Sequence, residues 1–275
     1  MRIAICQFHS GTDKERNLAT IAGLAAEAEA SGAKLALFPE LAMYDEPTLG
    51  LSAVEHAEAL DGPFVTGLAT IARRTGLFLV AGMTERIDGE RAYNTAVVVS
   101  PSDGLTARYR KAHLYDAFGY RESDTIRPGE LEGPVTFEVD GVTVGVLTCY
   151  DLRFPEAARQ HADAGTDLLL YPSAWMPGAR KEDHWSTLLR ARAIENTVFV
   201  AGVSQSPPDI GIGGSLIADP MGVTMAELGE HPGVATADVH HARIADVRAK
   251  NPSLANRRFA VVPLDSHTTK EEEHV

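Results

Sequence analysis

Residues 1–40 read MRIAICQFHSGTDKERNLATIAGLAAEAEASGAKLALFPE, and their patterning decides the architecture. Residues 3–8 form a short apolar run of β type. Thr12 and Glu15 then stand at capping-box spacing. Leu18, Ile21, Ala22 and Ala25 follow at helical intervals, and Ser31-Gly32 closes the helix. Residues 34–38 are the next strand, stopped by Pro39. A second helix covers 64–74 and ends at Gly76, and residues 77–81 return to strand. Strand and helix alternating from the first residue predict an α/β layer fold.

Further along the pattern changes. Residues 93–99, 105–109, 135–139 and 142–147 are strands joined mostly by turns, with Asp140-Gly141 as a tight hairpin turn. Residues 111–133 lack periodicity, and a connection of that length in a compact domain is usually functional. Helix is expected at 155–164 and 183–196, strand at 167–171 and 197–203. A last hairpin turns at Asp219-Pro220-Met221-Gly222, whose proline and glycine suit a type I turn. No repeat and no linker divides the chain, so residues 1–266 are read as one domain and 267–275 as a charged tail.

The bulk composition sets limits. Of 275 residues, 44% are hydrophobic and 23% charged, a globular mix. The formal charge of −13 disfavours contact with nucleic acid or anionic lipid, which an acidic surface repels. No apolar run approaches the ~20 residues of a membrane span. The N-terminus opens like a strand without a signal-peptide pattern. Cys6 and Cys149 are too far apart in sequence for a CxxC motif, so a reducing cytoplasm is the expected compartment.

Position singles out one of these cysteines. Cys149 ends the apolar run 142–148, where an α/β strand delivers side chains to a cleft. Cys6 lies mid-strand between Ile5 and Phe8 and reads as packing. A thiol needs a base or a positive field to become a good nucleophile. Glu40 follows Phe38-Pro39 at another strand end, and Lys111 opens the long connection after a third. Three strand ends thus present a thiol, a carboxylate and an ammonium.

The strings Leu37-Phe38-Pro39-Glu40, Tyr109-Arg110-Lys111-Ala112-His113-Leu114 and Cys149-Tyr150-Asp151-Leu152-Arg153-Phe154-Pro155-Glu156 resemble the nitrilase superfamily of carbon–nitrogen hydrolases, in the same order. Tyr171-Pro172-Ser173-Ala174-Trp175 and the block 184–196 agree with it. The resemblance implies a four-layer α-β-β-α sandwich that pairs as a homodimer through the 183–196 helix. It implies Glu40 as general base, and Lys111 with the Tyr150 amide as oxyanion donors. Cys149 would be the nucleophile and Glu122 a second glutamate assisting it. It calls for no metal and no organic cofactor.

The substrate implied is a small aliphatic amide, with ω-amides among the candidates, cleaved to acid and ammonia through a thioester. N-carbamoyl compounds and nitriles are the alternatives within the superfamily, and Tyr150 stands where true nitrilases usually carry tryptophan. Tyr44, Phe118 and Trp175 are expected to wall the acyl site. Arg153 is read as structural, pairing with nearby acids, and Gly211-Ile212-Gly213-Gly214 as a flexible approach to a strand. Rival readings are a Cys–His enzyme using His113, a metal site at His240-His241, and a catalytically silent binding protein.

Overall fold

The computed structural model describes residues 1–46, 52–87, 89–207 and 211–264; the charged tail expected at 267–275 lies outside them. In chain order the elements are β1 (Arg2–Gln7), α1 (Lys14–Ala30), β2 (Leu35–Leu37), α2 (Ser52–Glu55) and α3 (Pro63–Thr75). Next come β3 (Phe78–Arg86), β4 (Ala92–Ser100), β5 (Gly104–Arg110), β6 (Asp116–Ala117), β7 (Tyr120–Arg121), β8 (Thr136–Val139) and β9 (Val142–Val146). The remainder are α4 (Pro155–Asp163), β10 (Leu168–Ser173), α5 (Lys181–Asn196), β11 (Phe199–Ser204), β12 (Leu216–Ala218), β13 (Thr224–Glu227), β14 (Gly233–Asp238) and α6 (His241–Lys250).

Two six-stranded sheets carry the fold, in the orders β14-β1-β2-β3-β4-β5 and β13-β12-β11-β10-β9-β8. Each is built to the same plan. Strands β1, β2 and β3 are parallel, with antiparallel β14 on one flank and β4 and β5 on the other. Strands β9, β10 and β11 are likewise parallel, flanked by antiparallel β8 and by β12 and β13.

The pleat sorts side chains between layers, since successive residues face opposite sides of a sheet. Ile3, Ile5, Leu35, Leu37 and Val80 pack against Val144, Val146, Leu168 and Leu170, closing the space between the sheets. Their neighbours Ala4, Cys6, Ala36 and Phe38 turn outward onto Ile21 and Ala25 of α1 and Phe64 and Leu68 of α3. Burying each large aliphatic side chain is worth about 1.5–3 kcal/mol. On the far side α5 lies close against β11, where a Cβ at Gly202 would meet Leu189 Cδ1 at 2.6 Å. The layers are therefore helix, sheet, sheet, helix. Among the described residues no helix is long and apolar enough to cross a membrane.

Several local expectations change. Asp13, not Thr12, caps α1: its side chain accepts the Arg16 amide at 3.0 Å, and a cap of this kind is worth about 1 kcal/mol. Strand β3 runs on to Arg86 because Gly82, Thr84 and Glu85 pair with β4 despite their polarity. The Gly211–Gly214 stretch is packed, not loose. A Cβ on Gly211 would fall 1.8 Å from the Gln205 carbonyl oxygen. Strand β14 was not anticipated at all; most of its residues are only half buried, so its apolar signal is weak.

Candidate active site

Glu40 leaves β2 through Pro39 and lies flat on β3. A Cβ at Gly82 would stand 2.6 Å from Glu40 Cα and 2.7 Å from Leu41 N, so only glycine lets the two backbones approach this closely. Leu41 then turns the chain with φ 58°. From the second sheet, Gln205 Nε2 donates to the Glu40 carbonyl oxygen at 2.8 Å.

Lys111 follows β5 and reaches the same place. Its Nζ donates to Glu40 Oε1 and to Glu122 Oε2, both at 2.9 Å. Asn94, on β4, bridges the same two carboxylates, at 2.7 Å to Glu40 Oε1 and 2.9 Å to Glu122 Oε1. Glu122 Oε2 also accepts the Tyr115 amide at 2.7 Å. With Glu40, Lys111 and Glu122 only 3%, 2% and 6% exposed, these charges are balanced by one another rather than by water.

Cys149 is not in the strand that leads to it. Strand β9 stops at Val146, and Cys149 opens a short 3₁₀ turn, Cys149–Arg153. Its φ of 44° lies in the left-handed region, which costs a non-glycine residue about 1–3 kcal/mol. Asp151 pins this turn from beneath. Its Oδ2 accepts the Thr148 amide at 2.9 Å and the Tyr109 hydroxyl at 2.8 Å, and its Oδ1 accepts the His113 amide at 3.0 Å. The strained turn delivers the thiol into the same cavity as Glu40, whose charge acts on it.

The electrostatics follow from this packing. Burial pushes the Glu40 carboxyl up, yet Lys111, the thiol and the Ala174 amide more than offset it and hold Glu40 below its ordinary value. That amide donates to Glu40 Oε2 at 2.7 Å. Burial opposes the charge on Lys111, but Glu122 and Glu40 overcome it and raise the ammonium well above its ordinary value. Burial and then the Glu40 charge raise the Cys149 thiol well above its own, against the opposing pull of Lys111. The resting site is thus a carboxylate, an ammonium and a neutral thiol.

One cavity contains Glu40, Lys111, Glu122, Cys149 and Tyr150, and Tyr44 and Trp175 line it too. Phe118 does not. It sits with Gly119 at the tip of the β6–β7 hairpin, both at positive φ, and is 71% exposed; the expected wall is here a rim. Arg153 also departs from expectation, for it lines the cavity and forms no ion pair with a described acid. Asp151 is taken up beneath the turn, and Glu156 lies on α4.

No histidine lines the cavity among the described residues. His113 stacks on Phe154, centroids 3.7 Å apart, with Nδ1 2.7 Å from Asp151 Oδ1. His240 precedes α6, and His241 Nε2 meets the Gly141 carbonyl oxygen at 2.7 Å. Asn94 and the Ala174 amide escaped the sequence reading. An amide side chain amid the apolar run of β4 was the available signal for the first; a backbone N–H leaves none.

Comparison with known proteins agrees in extent and in kind. The family described as carbon-nitrogen hydrolase matches residues 2–249. The deaminated glutathione amidase of Escherichia coli O157:H7 is 39% identical over 94% of this chain and 98% of its own. The omega-amidase NIT2 of Danio rerio is 34% identical over 96% of this chain and 97% of its own. Among solved structures, a Glu-to-Gln mutant of the amidase from Nesterenkonia sp. AN1 superposes with a TM-score of 0.78 at 30% identity, covering 94% of each chain. That structure carries the acetamide moiety of fluoroacetamide, covalently added at its active-site cysteine. A match running from the first strand almost to the end of α6 makes this chain a member of the carbon–nitrogen hydrolase family, an enzyme of the nitrilase superfamily that acts on amides.

Proposed function

We propose that the enzyme hydrolyses a small aliphatic amide to its acid and ammonia through a thioester on Cys149. The observation that carries this reading is a cysteine thiol sharing one cavity with a buried carboxylate to which Lys111 donates. Glu40 takes the thiol proton as sulfur attacks the carbonyl carbon. Negative charge then develops on the carbonyl oxygen, beside Lys111 Nζ and the Tyr150 amide. The proton on Glu40 passes to nitrogen, the C–N bond breaks and ammonia leaves. Water, losing its proton to Glu40, attacks the thioester; the C–S bond breaks, and that proton returns to sulfur. Glu122 and Asn94 act by position, holding Lys111 and Glu40 where the charge forms.

The relatives named for deaminated glutathione and for ω-amides support a substrate with a small acyl group. A homodimer through α5 is supported by exposed Ile194 on that helix, beside Met221 and Val223 on the neighbouring turn. Two unbridged cysteines suit a cytoplasmic setting.

The test is ammonia release from short aliphatic amides, ω-amides of 2-oxo acids, N-carbamoyl amino acids and nitriles, with Cys149→Ala as control. Release from an amide that disappears in the variant supports the reading. Undiminished release by Cys149→Ala would refute it, and carbon dioxide accompanying the ammonia would move the enzyme to the carbamoyl branch.

A further inference from the structure

Two backbone positions of the site take positive φ: Cys149, at 44°, and Leu41, at 58°, directly after Glu40. Asp151 pins the first. The second is held by Ser10 and Gln205, both fully buried and neither among the residues that line the cavity. Gln205 Nε2 donates to the Glu40 carbonyl oxygen at 2.8 Å and also to Ser10 Oγ. Its Oε1 accepts the Ser10 amide at 2.9 Å. Ser10 Oγ in turn donates to the Leu41 carbonyl oxygen at 3.0 Å. Two consecutive carbonyls of the Leu41 turn are thereby fixed, one by each member of the pair.

Gln205 can do this because its own backbone is fastened. Its amide donates to the Ser173 carbonyl oxygen at 3.1 Å, and its carbonyl oxygen accepts the Gly213 amide at 2.9 Å. The glycine-rich stretch 211–214 closes over it. A Cβ on Gly211 would fall 1.8 Å from the Gln205 oxygen, and Gly213 takes φ 65°. A side chain at either position would push the stretch off Gln205. Gln205 follows β11 in the second sheet, whereas Glu40 follows β2 in the first. The bond between them therefore sets the base of one sheet against the sheet that carries Cys149. A left-handed leucine persists only where its surroundings over-determine it, and a buried carbonyl without a donor is costly. Without the pair the turn would relax, and the Glu40 carboxylate would move with it.

We propose that Gln205 and Ser10 are positioning residues for the general base, locking the Leu41 turn so that the Glu40 carboxylate stays directed into the cavity that holds the Cys149 thiol. This rests on Glu40 being the base and adds what keeps it in place.

Gln205→Met keeps the length of the side chain and removes its donor and its acceptor. On an amide that the wild-type enzyme hydrolyses, it is expected to lower kcat about 30-fold to 100-fold and to leave KM within about twofold. Ser10→Ala frees the Leu41 carbonyl and spares the Glu40 one, so its loss in kcat should be about threefold to tenfold. If Gln205→Met does not fold, Ser10→Ala carries the same test.

A double-mutant cycle with Glu40→Gln separates positioning from mere structural support. Glu40→Gln alone should lose about 10³-fold in kcat, and adding either variant should cost less than about twofold more, since no base is left to misplace. Equal losses in the wild-type and Glu40→Gln backgrounds overturn the proposal. A nearly inactive Glu40→Gln beside folded, fully active Gln205→Met and Ser10→Ala proteins removes the positioning residues and keeps the base. Wild-type turnover in Glu40→Gln removes the base, and the proposal with it.

Discussion

Cys6 and Cys149 are hidden almost equally, at 0% and 7% exposed, and burial raises both thiols above their ordinary value. What differs is the company. Cys6 faces Ile21 and Ala25 in a relaxed strand, with Glu27 the one charge among the described residues that acts on it. Cys149 sits on a strained turn, in a cavity with a carboxylate and an ammonium that both act on it. Burial alone silences a thiol. A buried thiol beside an ionised base is merely held in reserve, because the proton has somewhere to go once a carbonyl arrives.

That contrast can be broken in graded steps. The largest effect belongs to Cys149→Ala, which should fold and lose about 10⁴-fold or more of kcat, measured by ammonia release. Comparable activity in Cys149→Ala and in Cys6→Ala would erase the distinction. Lys111→Met comes next, with a loss of about 10²–10³-fold. It also carries a sign. Lys111 helps to hold Glu40 below its ordinary value, so the wild-type acid limb of kcat/KM lies below that value. Without the ammonium, burial prevails, and the limb should move to higher pH. A pH–rate profile that stays in place would show that the lysine does not act on this carboxylate.

Gly82→Ala probes geometry alone, since it removes no reacting group. Its methyl would displace the Glu40 backbone, and a misplacement of about 1 Å can cost roughly 10²-fold in rate. A normal rate in a folded Gly82→Ala protein would mean that Glu40 need not lie where it does.

The ground beneath Cys149 has its own titration. His161 packs on Gly145 of β9, and burial pushes its imidazole down from 6.5 to about 4. A depressed histidine contributes stability above its unfolded pKa. That contribution fades as pH falls from about 6.5 toward 4, at about 1.4 kcal/mol per unit at most. Melting temperature should therefore drop over that window, and less steeply in His161→Gln. The smallest effect falls to Cys6→Ala, which should cost about 1–2 kcal/mol of stability in urea and spare kcat.

The architecture was legible where a period repeats. Residues 1–40 alternate strand and helix plainly, and the pleat of β1 sorts Cys6 away from the chemistry as its neighbours suggested. Strand β14 was not legible, because an edge strand with half-buried residues carries little apolar rhythm. The positions of Glu40, Lys111 and Cys149 could be read as strand ends. Their convergence could not, since Glu40 and Cys149 come from different sheets. Arg153 was misjudged because nearness in sequence says nothing of direction: Asp151 is taken up beneath the turn, and Glu156 belongs to α4.

The Ala174 amide donates to Glu40 Oε2 in the cavity that also holds Cys149. It is thus a native spectroscopic probe. Isotope-labelled alanine would give this N–H a resonance shifted by the Glu40 carboxylate it donates to. Movement of a proton from sulfur to carboxylate, or acylation of the sulfur, would move that signal. A single peak would then follow the enzyme through its cycle without a label on the substrate.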